Sequence, residues 1–592
     1  MKKNLLYTAF SVVLSAVALT SCDDFLDKEP DERTEIDTES KIIGLMVDAY
    51  PWANPASVCE LMGDNLVDNN APHNQLDNNG RLLTVHYNLN SMERMDDELF
   101  LFEPVRSSTS WDSPSWLWQA YYQSVAVANI ALNAIEEYKA NGGVETEKLK
   151  SVKGEALLVR AFSHFMLVNI FSQAYKNPEL SKADVGVPYV TEVIDKVQVD
   201  YDRGNVADVY EKIEKDLEEG LSLISDVHLT KPKWHFNTRA AHAFAARFYL
   251  FKRDYQKVIE HANAVLGTDV STIQPLLFNY GGFASLTTYA AYALAYQGSE
   301  VPNNLMLLVT NSIHWRRMGG YGYKNRYTHN ADAAHATVDR FGPTWDLSLL
   351  PCIVTSGLFT TGGQDYGMVW ARQLESFEYS DKVAGIGTPH VVRSEFTCDV
   401  LLLERAEAKI MLADTLGALE DLNALETSRH TMTSYNNAVH DLSLPVVQYY
   451  YQYPGDSGET YRNQRSAQVV AQYGDWSFTQ NMSPDFVVKP ELQKWMNCLM
   501  DYRRIETLFD GTRFFDLKRF GIEYSHVYGK DAEEHMLTWN DPRRAVEVPQ
   551  EVLASGLQSS RTSATTRAVV PTETPQQSNG KFSSRITYNT NR

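Results

Sequence analysis

The sequence has few basic residues for its acidic content, and it lacks the short motifs of several common enzymes. It holds 54 Lys and Arg against 75 Asp and Glu, which gives a formal net charge of −21. This balance argues against nucleic acid as a partner and against electrostatic binding to an anionic membrane. The chain contains no His-Glu-x-x-His helix, no Gly-x4-Gly-Lys loop and no Gly-x-Ser-x-Gly elbow. These absences point away from a metalloprotease, a P-loop nucleotide-binding protein and an α/β-hydrolase.

Cysteine is also scarce, with five residues in 592. One of them, Cys22, lies at the N-terminus, and the other four are Cys59, Cys352, Cys398 and Cys498. They are widely scattered and form no Cys-x-x-Cys pair, so they do not indicate a zinc site. Four cysteines allow three pairings, between which the sequence does not choose. Disulfides and buried free thiols therefore both stay open, and no metal site is predicted.

Long apolar runs are missing outside the first twenty residues. Lys2 and Lys3 precede an apolar stretch, Leu5–Leu19, which is typical of a signal peptide and is short for a membrane span. The stretch ends in Leu19-Thr20-Ser21-Cys22, which matches the lipobox of bacterial lipoproteins. The sequence therefore predicts a lipoprotein signal peptide over residues 1–21 and a lipid, such as palmitate, on Cys22. The alternative is an ordinary signal peptide followed by an incidental cysteine.

The body of the chain shows the periodicity of helices. Residues 22–38 are acidic and polar, which predicts a flexible leader. Apolar side chains at spacings of three and four predict helical pairs over roughly 116–267 and 396–430. Small residues such as Ala241, Ala245 and Ala406 make these pairs resemble tetratricopeptide repeats, which must stack to bury their faces. We therefore expect a mostly α fold with a tetratricopeptide-like scaffold, in a single domain over residues 39–557.

Two long segments and the C-terminus lack this periodicity. Residues 268–395 and 435–487 are rich in Gly, Tyr, Trp and Asn, which predicts long irregular, loop-rich insertions. Their aromatic content argues against disorder. The Ser- and Thr-rich residues 558–592 predict a disordered tail.

Aromatic and polar side chains alternate between residues 315 and 327. Flat aromatic rings stack on the apolar faces of sugar rings, and polar side chains bond the hydroxyls. The spacing predicts a ligand-binding loop that suits an anionic or polar glycan, with these candidate residues: Trp315, Arg317, Tyr321, Tyr323, Asn325 and Tyr327. The alternative is that the rings anchor the loop by packing against the helices.

Charged residues of both signs alternate with Phe and Leu near the C-terminus. The set comprises Arg503, Arg504, Glu506, Asp510, Arg513, Asp516 and Arg519. Buried charges need partners, so this pattern predicts a partly buried ion-pair network that fixes helix packing. Gly511 would permit a sharp break between two short helices.

Five segments in this order carry a family resemblance. They are Cys22-Asp23-Asp24-Phe25-Leu26-Asp27, Gly154-Glu155-Ala156 with Arg160-Ala161-Phe162, Gly186-Val187-Pro188-Tyr189, Arg504–Arg519, and Glu547-Val548-Pro549. Together they resemble the SusD/RagB family of outer-membrane nutrient-binding lipoproteins of Bacteroidota. The match extends over most of the chain, which makes it more specific than any single motif.

The resemblance implies a function that composition alone does not. It implies a receptor without catalysis or cofactor, exposed on the cell surface, lipid-anchored in the outer membrane and bound to the membrane through that lipid alone. Such a receptor captures a glycan and delivers it to a SusC-like TonB-dependent transporter. The alternatives are a peptide receptor of the same architecture, a helical-repeat scaffold without a small ligand, and, as a minor reading, a hydrolase.

Overall fold

A computed structural model describes residues 36–71, 88–194, 201–286, 288–319, 325–330, 333, 337, 352–354, 368–430, 485–561 and 582–583. Within these ranges helices predominate over strands, as predicted. The α-helices are α1 Glu39–Leu45, α2 Ala56–Leu61, α3 Arg94–Phe100, α4 Pro114–Ala140, α5 Glu147–Phe171, α6 Val206–Leu223, α7 Thr238–Lys252, α8 Tyr255–Leu266, α9 Val270–Ile273, α10 Tyr289–Gln297, α11 His314–Arg317, α12 Cys398–Met411, α13 Thr415–Ser428, α14 Gln493–Glu506, α15 Thr512–Phe520 and α16 Gln550–Ala554. The strands are β1 Val67–Asp68, β2 Asn304–Asn311, β3 Tyr327–Thr328, β4 Cys352–Val354, β5 Met368–Trp370, β6 Glu375–Asp381, β7 Ile386–Thr397, β8 Tyr524–Tyr528, β9 Glu533–Leu537 and β10 Phe582–Ser583.

Packed helical pairs form the scaffold. Helix α4 packs against α5, α5 against α6, α7 against α8, and α12 against α13. Helix α12 also packs against α8, so the two predicted groups of helices form one stack. The predicted tetratricopeptide-like, mostly α fold is confirmed.

Short polar side chains set where these helices begin. Ser113 caps α4 by accepting a hydrogen bond from the backbone N–H of Trp116, and Pro114 occupies the first helical position. Thr146 caps α5 in the same way through the N–H of Leu149. Arg253 ends α7 in the left-handed conformation, with φ of 66°, and lets α8 start two residues later.

Helix α5 is the centre of the core. Every residue of the helix from Gly154 to Phe171 is buried. By length and composition α5 is the one helix of the described chain that would be apolar enough to cross a membrane, but its apolar stretch is wholly buried. The helix is therefore the core element of a folded domain.

Helices α5 and α6 approach closely because two glycines meet where they cross. A Cβ on Gly154 would lie 3.0 Å from the carbonyl oxygen of Gly220, and one on Gly220 would lie 2.9 Å from Cγ of Leu158. Nearby, Arg160 on α5 donates two hydrogen bonds to Asp216 on α6, at 2.7 and 2.8 Å. The buried ion pair thus joins α6 to α5, the helix that carries the Gly-Glu-Ala-x-x-x-Arg segment.

The predicted C-terminal ion-pair network is confirmed. Arg503 on α14 and Arg519 on α15 both donate to Asp516, at 2.8 and 2.9 Å, and all three side chains are at most 3% exposed. Arg519 also donates to Glu407 on α12, at 2.6 Å. Gly511 separates α14 from α15 with φ of +77°, as expected for a sharp break.

Cys59, Cys398 and Cys498 are buried thiols that form no disulfide with any described residue. Burial raises the pKa of the Cys59 and Cys398 thiols to about 12, so both stay protonated at neutral pH. At these three positions the alternative of buried free thiols holds.

Residues 268–395 are more regular than the sequence predicts. Strands β2, β7 and β6 form an antiparallel sheet in the order β2-β7-β6, and short helices precede it. Strand β2 is buried on both faces from Asn304 to Leu308, so this part of its sequence shows no alternation of polar and apolar residues. Strand β6 is the exposed edge and is mostly polar, so neither strand shows the period of two that marks a half-buried strand. Most of the second predicted insertion, 435–487, lies outside the described residues.

The packed chain also extends beyond the predicted end of the domain. Ser560 is buried, and its backbone N–H donates to Glu547 at 2.8 Å. Strand β10 pairs in parallel with β8, which in turn pairs with β9. The remainder of the predicted tail is outside the described residues.

Candidate functional site

Four of the six predicted ligand-binding residues are buried anchors in the structure. Trp315 and Arg317 lie on α11 and are 1% and 2% exposed. The guanidinium of Arg317 donates to Asp96 and, at 3.3 Å, to Glu93. Tyr321 and Tyr323 lie outside the described residues, so ligand contact by this loop stays a prediction.

The other two described candidates also bond within the protein. Asn325 donates to the carbonyl oxygens of Arg316 and Arg317, at 2.6 and 2.7 Å. The Tyr327 ring stacks on Phe100 with centroids 4.3 Å apart, and its hydroxyl donates to Asp97. The Tyr327 contacts hold the loop against α3, and the Asn325 hydrogen bonds hold it against α11.

The positive charge expected in this loop is balanced by carboxylates. Arg316 pairs with Glu375, Arg317 with Asp96, and Arg326 with Asp68. The arginines among the described residues of this segment are thus engaged in ion pairs. Their attraction for an anionic glycan is correspondingly reduced.

A large open cavity lies elsewhere in the described chain. It is a cleft of about 990 Å³ between helix α4, the segment before α2, the segment of Trp234 and His235, and strand β2. Its walls combine aromatic rings, amide side chains and aliphatic side chains. The lining residues are Val47, Asp48, Tyr50, Trp52, Gln119, Tyr122, Gln123, Trp234, His235, Leu307, Leu308 and Val309. We call this cavity the aromatic cleft.

Two tryptophans from separate segments form part of the wall. The Trp52 ring meets the Trp116 ring edge to face, with centroids 4.3 Å apart, and the Trp52 carbonyl accepts the Asn311 N–H at 2.7 Å. Trp234 ends the 3-10 helix Pro232–Trp234. The neighbouring Lys233 ties this helix to the start of the sheet by donating to the Val301 carbonyl at 2.6 Å. Both rings are half-buried and thus hold a fixed position with an open side.

Helix α4 supplies the polar wall. Gln119, Tyr122 and Gln123 lie on one face because they are three and four residues apart. The Tyr122 hydroxyl donates to the Pro188 carbonyl at 2.9 Å, which fixes the ring. Gln119 and Gln123 are exposed and offer both donors and acceptors to a ligand.

The cleft carries little charge. No Lys or Arg is among its lining residues in the part of the chain that the structure describes. Asp48 is exposed on its rim, and the buried carboxylate of Glu155 lies behind Tyr50 and His235. Such a site suits a neutral, hydroxyl-rich ligand better than an anionic one. No group of three or more His, Cys, Asp or Glu side chains within the described ranges could hold a metal ion.

The aromatic cleft was not predicted from the sequence. Its rings come from three separate segments, whereas the aromatic residues predicted to bind a ligand lie close together along the chain. One usable signal was present, because Trp52 follows Pro51 and Trp234 lies in Lys231-Pro232-Lys233-Trp234. Tryptophans on short proline-containing connections are often exposed at the ends of helices.

Residues 24–250 match the sequence model of a family described as SusD-like, starch-binding and associating with the outer membrane. Over these residues the chain is similar to this SusD-like family. The match includes α1 to α6, all but the last two residues of α7, and the aromatic cleft apart from the three residues of β2. The family resemblance seen in the sequence is confirmed.

Solved SusD structures share the fold over most of the chain. A SusD superfamily protein from Bacteroides vulgatus is 17% identical with a TM-score of 0.56, over 88% of this chain and 96% of that chain. A putative sugar binding protein from Bacteroides vulgatus is 16% identical with a TM-score of 0.56, over 88% and 98%. A SusD superfamily protein from Bacteroides thetaiotaomicron is 18% identical with a TM-score of 0.52, over 88% and 98%. The comparison with curated proteins gives no match.

Proposed function

We propose that this SusD-like protein captures a glycan in the aromatic cleft at the outer face of the outer membrane. The observation that carries the proposal is the cleft itself, in which Trp52, Tyr122 and Trp234 stand among Gln119 and Gln123. Aromatic faces stack on the C–H faces of pyranose rings, and amides bond their hydroxyls. Similarity to a family described as starch-binding supports the same ligand class.

The proposal includes delivery to a transporter and no chemistry on the ligand. The bound glycan passes to a SusC-like TonB-dependent transporter, which the receptor covers. The family is a binding-protein family.

The loop of Trp315 to Tyr327 remains a second proposed contact, where Trp315, Arg317, Asn325 and Tyr327 would support Tyr321 and Tyr323.

Calorimetric titration with a panel of soluble polysaccharides and peptides tests the proposal. We expect at least one neutral polysaccharide, such as soluble starch, to bind with micromolar affinity or better at pH 7, because the cleft is aromatic and carries little charge. An acidic polysaccharide such as polygalacturonate serves as the matched control and should bind at least tenfold more weakly. Micromolar binding to peptides, without binding to any polysaccharide, would overturn the glycan assignment.

Peptide capture is the second candidate function, and a neighbouring cavity favours it. An apolar cleft of about 300 Å³ lies on the other side of Tyr122. Trp118, Ile130 and Val193 are among its lining residues, and Val193 is 44% exposed. Its apolar walls suit aliphatic side chains of a peptide better than hydroxyls.

The membrane anchor gives a separate prediction. We propose that the thiol of Cys22 carries the lipid, so a Cys22→Ser variant should lose its membrane attachment. Fractionation of cells that express each form measures this: the wild type should sediment with outer membranes, and the variant should not. Cys59→Ser is the control, because Cys59 is a buried free thiol, and it should fractionate like the wild type. Membrane-bound Cys22→Ser protein would contradict the lipid anchor.

A further inference from the structure

A buried carboxylate lies directly behind the aromatic cleft. Glu155 on α5 has no exposed side-chain surface. It accepts hydrogen bonds from the hydroxyl of Tyr50 at 2.6 Å, from Nε2 of His228 at 2.7 Å and from Nδ1 of His235 at 2.8 Å. Three donors on one carboxylate satisfy most of its acceptor capacity in a buried place.

Two of these three donors line the cleft, whereas Glu155 does not. The Tyr50 hydroxyl also accepts the backbone N–H of Phe236, at 2.5 Å. The Tyr50 and His235 rings meet edge to face with centroids 5.8 Å apart. Tyr50 and His235 are thus fixed relative to each other through Glu155, although they are 185 residues apart in the sequence.

The carboxylate also determines which nitrogen of His235 bears the proton. Burial on its own would raise the pKa of Glu155, but the hydrogen bonds from His228, His235 and Tyr50 lower it below the ordinary value. An ionised carboxylate accepts hydrogen bonds and donates none. Nδ1 of His235 therefore carries the hydrogen of this bond, and in the neutral form of the ring Nε2 is left as an acceptor.

Nε2 of His235 is available to a ligand. It has no protein partner among the described residues, and the His235 side chain is 17% exposed on the wall of the cleft. His228 differs, because its side chain is 1% exposed and does not line the cleft. Glu155 and its partners therefore place one hydrogen-bond acceptor of fixed direction, Nε2 of His235, in the wall of the aromatic cleft. The rest of the wall consists mainly of aromatic rings, amides and aliphatic side chains.

We propose that Glu155 is a positioning residue of the aromatic cleft, which holds Tyr50 and His235 in place and keeps Nε2 of His235 as an acceptor for a ligand hydroxyl. The inference rests on the proposed capture of a hydroxyl-rich ligand in this cleft. It adds a specificity element: the ligand must place an O–H donor opposite His235. A ligand with a methylated or missing hydroxyl at that point leaves Nε2 unpaired.

The tautomer of His235 gives the first test, and it requires no ligand. Nitrogen-15 NMR of the detergent-solubilised full chain, labelled on histidine, distinguishes protonated from unprotonated ring nitrogens at pH 7. A His235→Gln variant assigns the signals by their loss. We expect Nδ1–H and an unprotonated Nε2 in the wild type, and loss of this preference in Glu155→Gln. A wild-type ring that carries its proton on Nε2 overturns the proposal, even if no polysaccharide binds.

Titration of the same proteins with soluble starch gives the second test. Glu155→Gln and His235→Gln should each weaken binding by about tenfold, the equivalent of one hydrogen bond. Glu218→Gln is the matched control, because Glu218 also accepts a tyrosine hydroxyl, that of Tyr249, but does not line the cleft. It should bind as the wild type does.

Folding and binding are separated by the choice of variants. If Glu155→Gln does not fold, His235→Gln alone decides, because His235 is partly exposed and its loss spares Tyr50 and His228. If the His235→Gln variant folds and binds starch with unchanged affinity, the proposed role of Nε2 of His235 as an acceptor is wrong. Wild-type protein that binds no polysaccharide of the panel instead overturns the proposed function, while the tautomer still reports on Glu155.

Discussion

We expect a Glu407→Ala variant to lose about 3–5 kcal/mol of its free energy of unfolding, the largest stability change of any substitution considered for this chain. The Glu407 side chain has no exposed surface. It accepts hydrogen bonds from Arg519, at 2.6 Å, and lies 3.4 Å from Nη1 of Arg503. Removing it leaves two buried guanidinium groups with a single shared carboxylate, Asp516. An unpaired buried charge costs far more than a surface ion pair contributes.

The protonation of Asp516 shows why one carboxylate does not suffice. Burial raises its pKa, but Arg503 and Arg519 together hold it below the ordinary value. Asp516 is therefore already ionised and already shared between both arginines. It has no further negative charge to offer when Glu407 is removed, so a positive charge stays uncompensated among α12, α14 and α15.

Urea unfolding followed by tryptophan fluorescence at pH 7 measures the loss. Glu147→Ala is the control, because Glu147 forms an ion pair with Lys150 at 2.7 Å but is 79% exposed. This control should unfold as the wild type does, since exposed pairs contribute little. A loss below about 1 kcal/mol in Glu407→Ala would mean that water or a shifted side chain compensates the arginines, which contradicts a closed network.

The sequence was sufficient to predict this network because three of its members lie close together along the chain. Arg503, Asp516 and Arg519 lie within one short segment, and charges among Phe and Leu require partners wherever the segment is buried. The helical pairs were open to prediction for a similar reason, since a period of 3.6 is visible in a single stretch of chain. Glu407, the fourth member of the network, comes from α12 and was not predicted.

The sheet and the aromatic cleft depend on contacts between distant segments. Strand β2 pairs with β7 across about eighty residues, and neither the buried run of β2 nor the polar edge of β6 has a distinctive period. The cleft joins Trp52, Tyr122, Trp234 and Leu308 from four segments. Local composition instead favoured Trp315 and its neighbours. Composition does not distinguish a ring that stacks on a ligand from one that packs on the protein, and Trp315 is buried.

The second large effect concerns binding: a Trp234→Ala variant should bind its polysaccharide about 10–100-fold more weakly than the wild type. Trp234 is half-buried on a short 3-10 helix and lines the aromatic cleft, so its truncation removes a stacking face and opens little of the core. Such a loss corresponds to roughly 1.4–2.7 kcal/mol of binding free energy. Trp52 is a poorer choice, because its ring packs against Trp116 and its loss would also change stability.

Calorimetry with the tightest polysaccharide of the panel, together with thermal unfolding, measures this effect. Trp234→Phe should keep most of the affinity, because a flat ring remains. Trp118→Ala is the matched control, since Trp118 lies on the same helix as Tyr122 but lines the neighbouring apolar cleft. If Trp118→Ala abolished binding and Trp234→Ala did not, the ligand would occupy the apolar cleft. If neither variant weakened binding but Tyr323→Ala did, at unchanged thermal stability, the capture site would be the loop after β2, because the aromatic cleft then contributes no stacking energy.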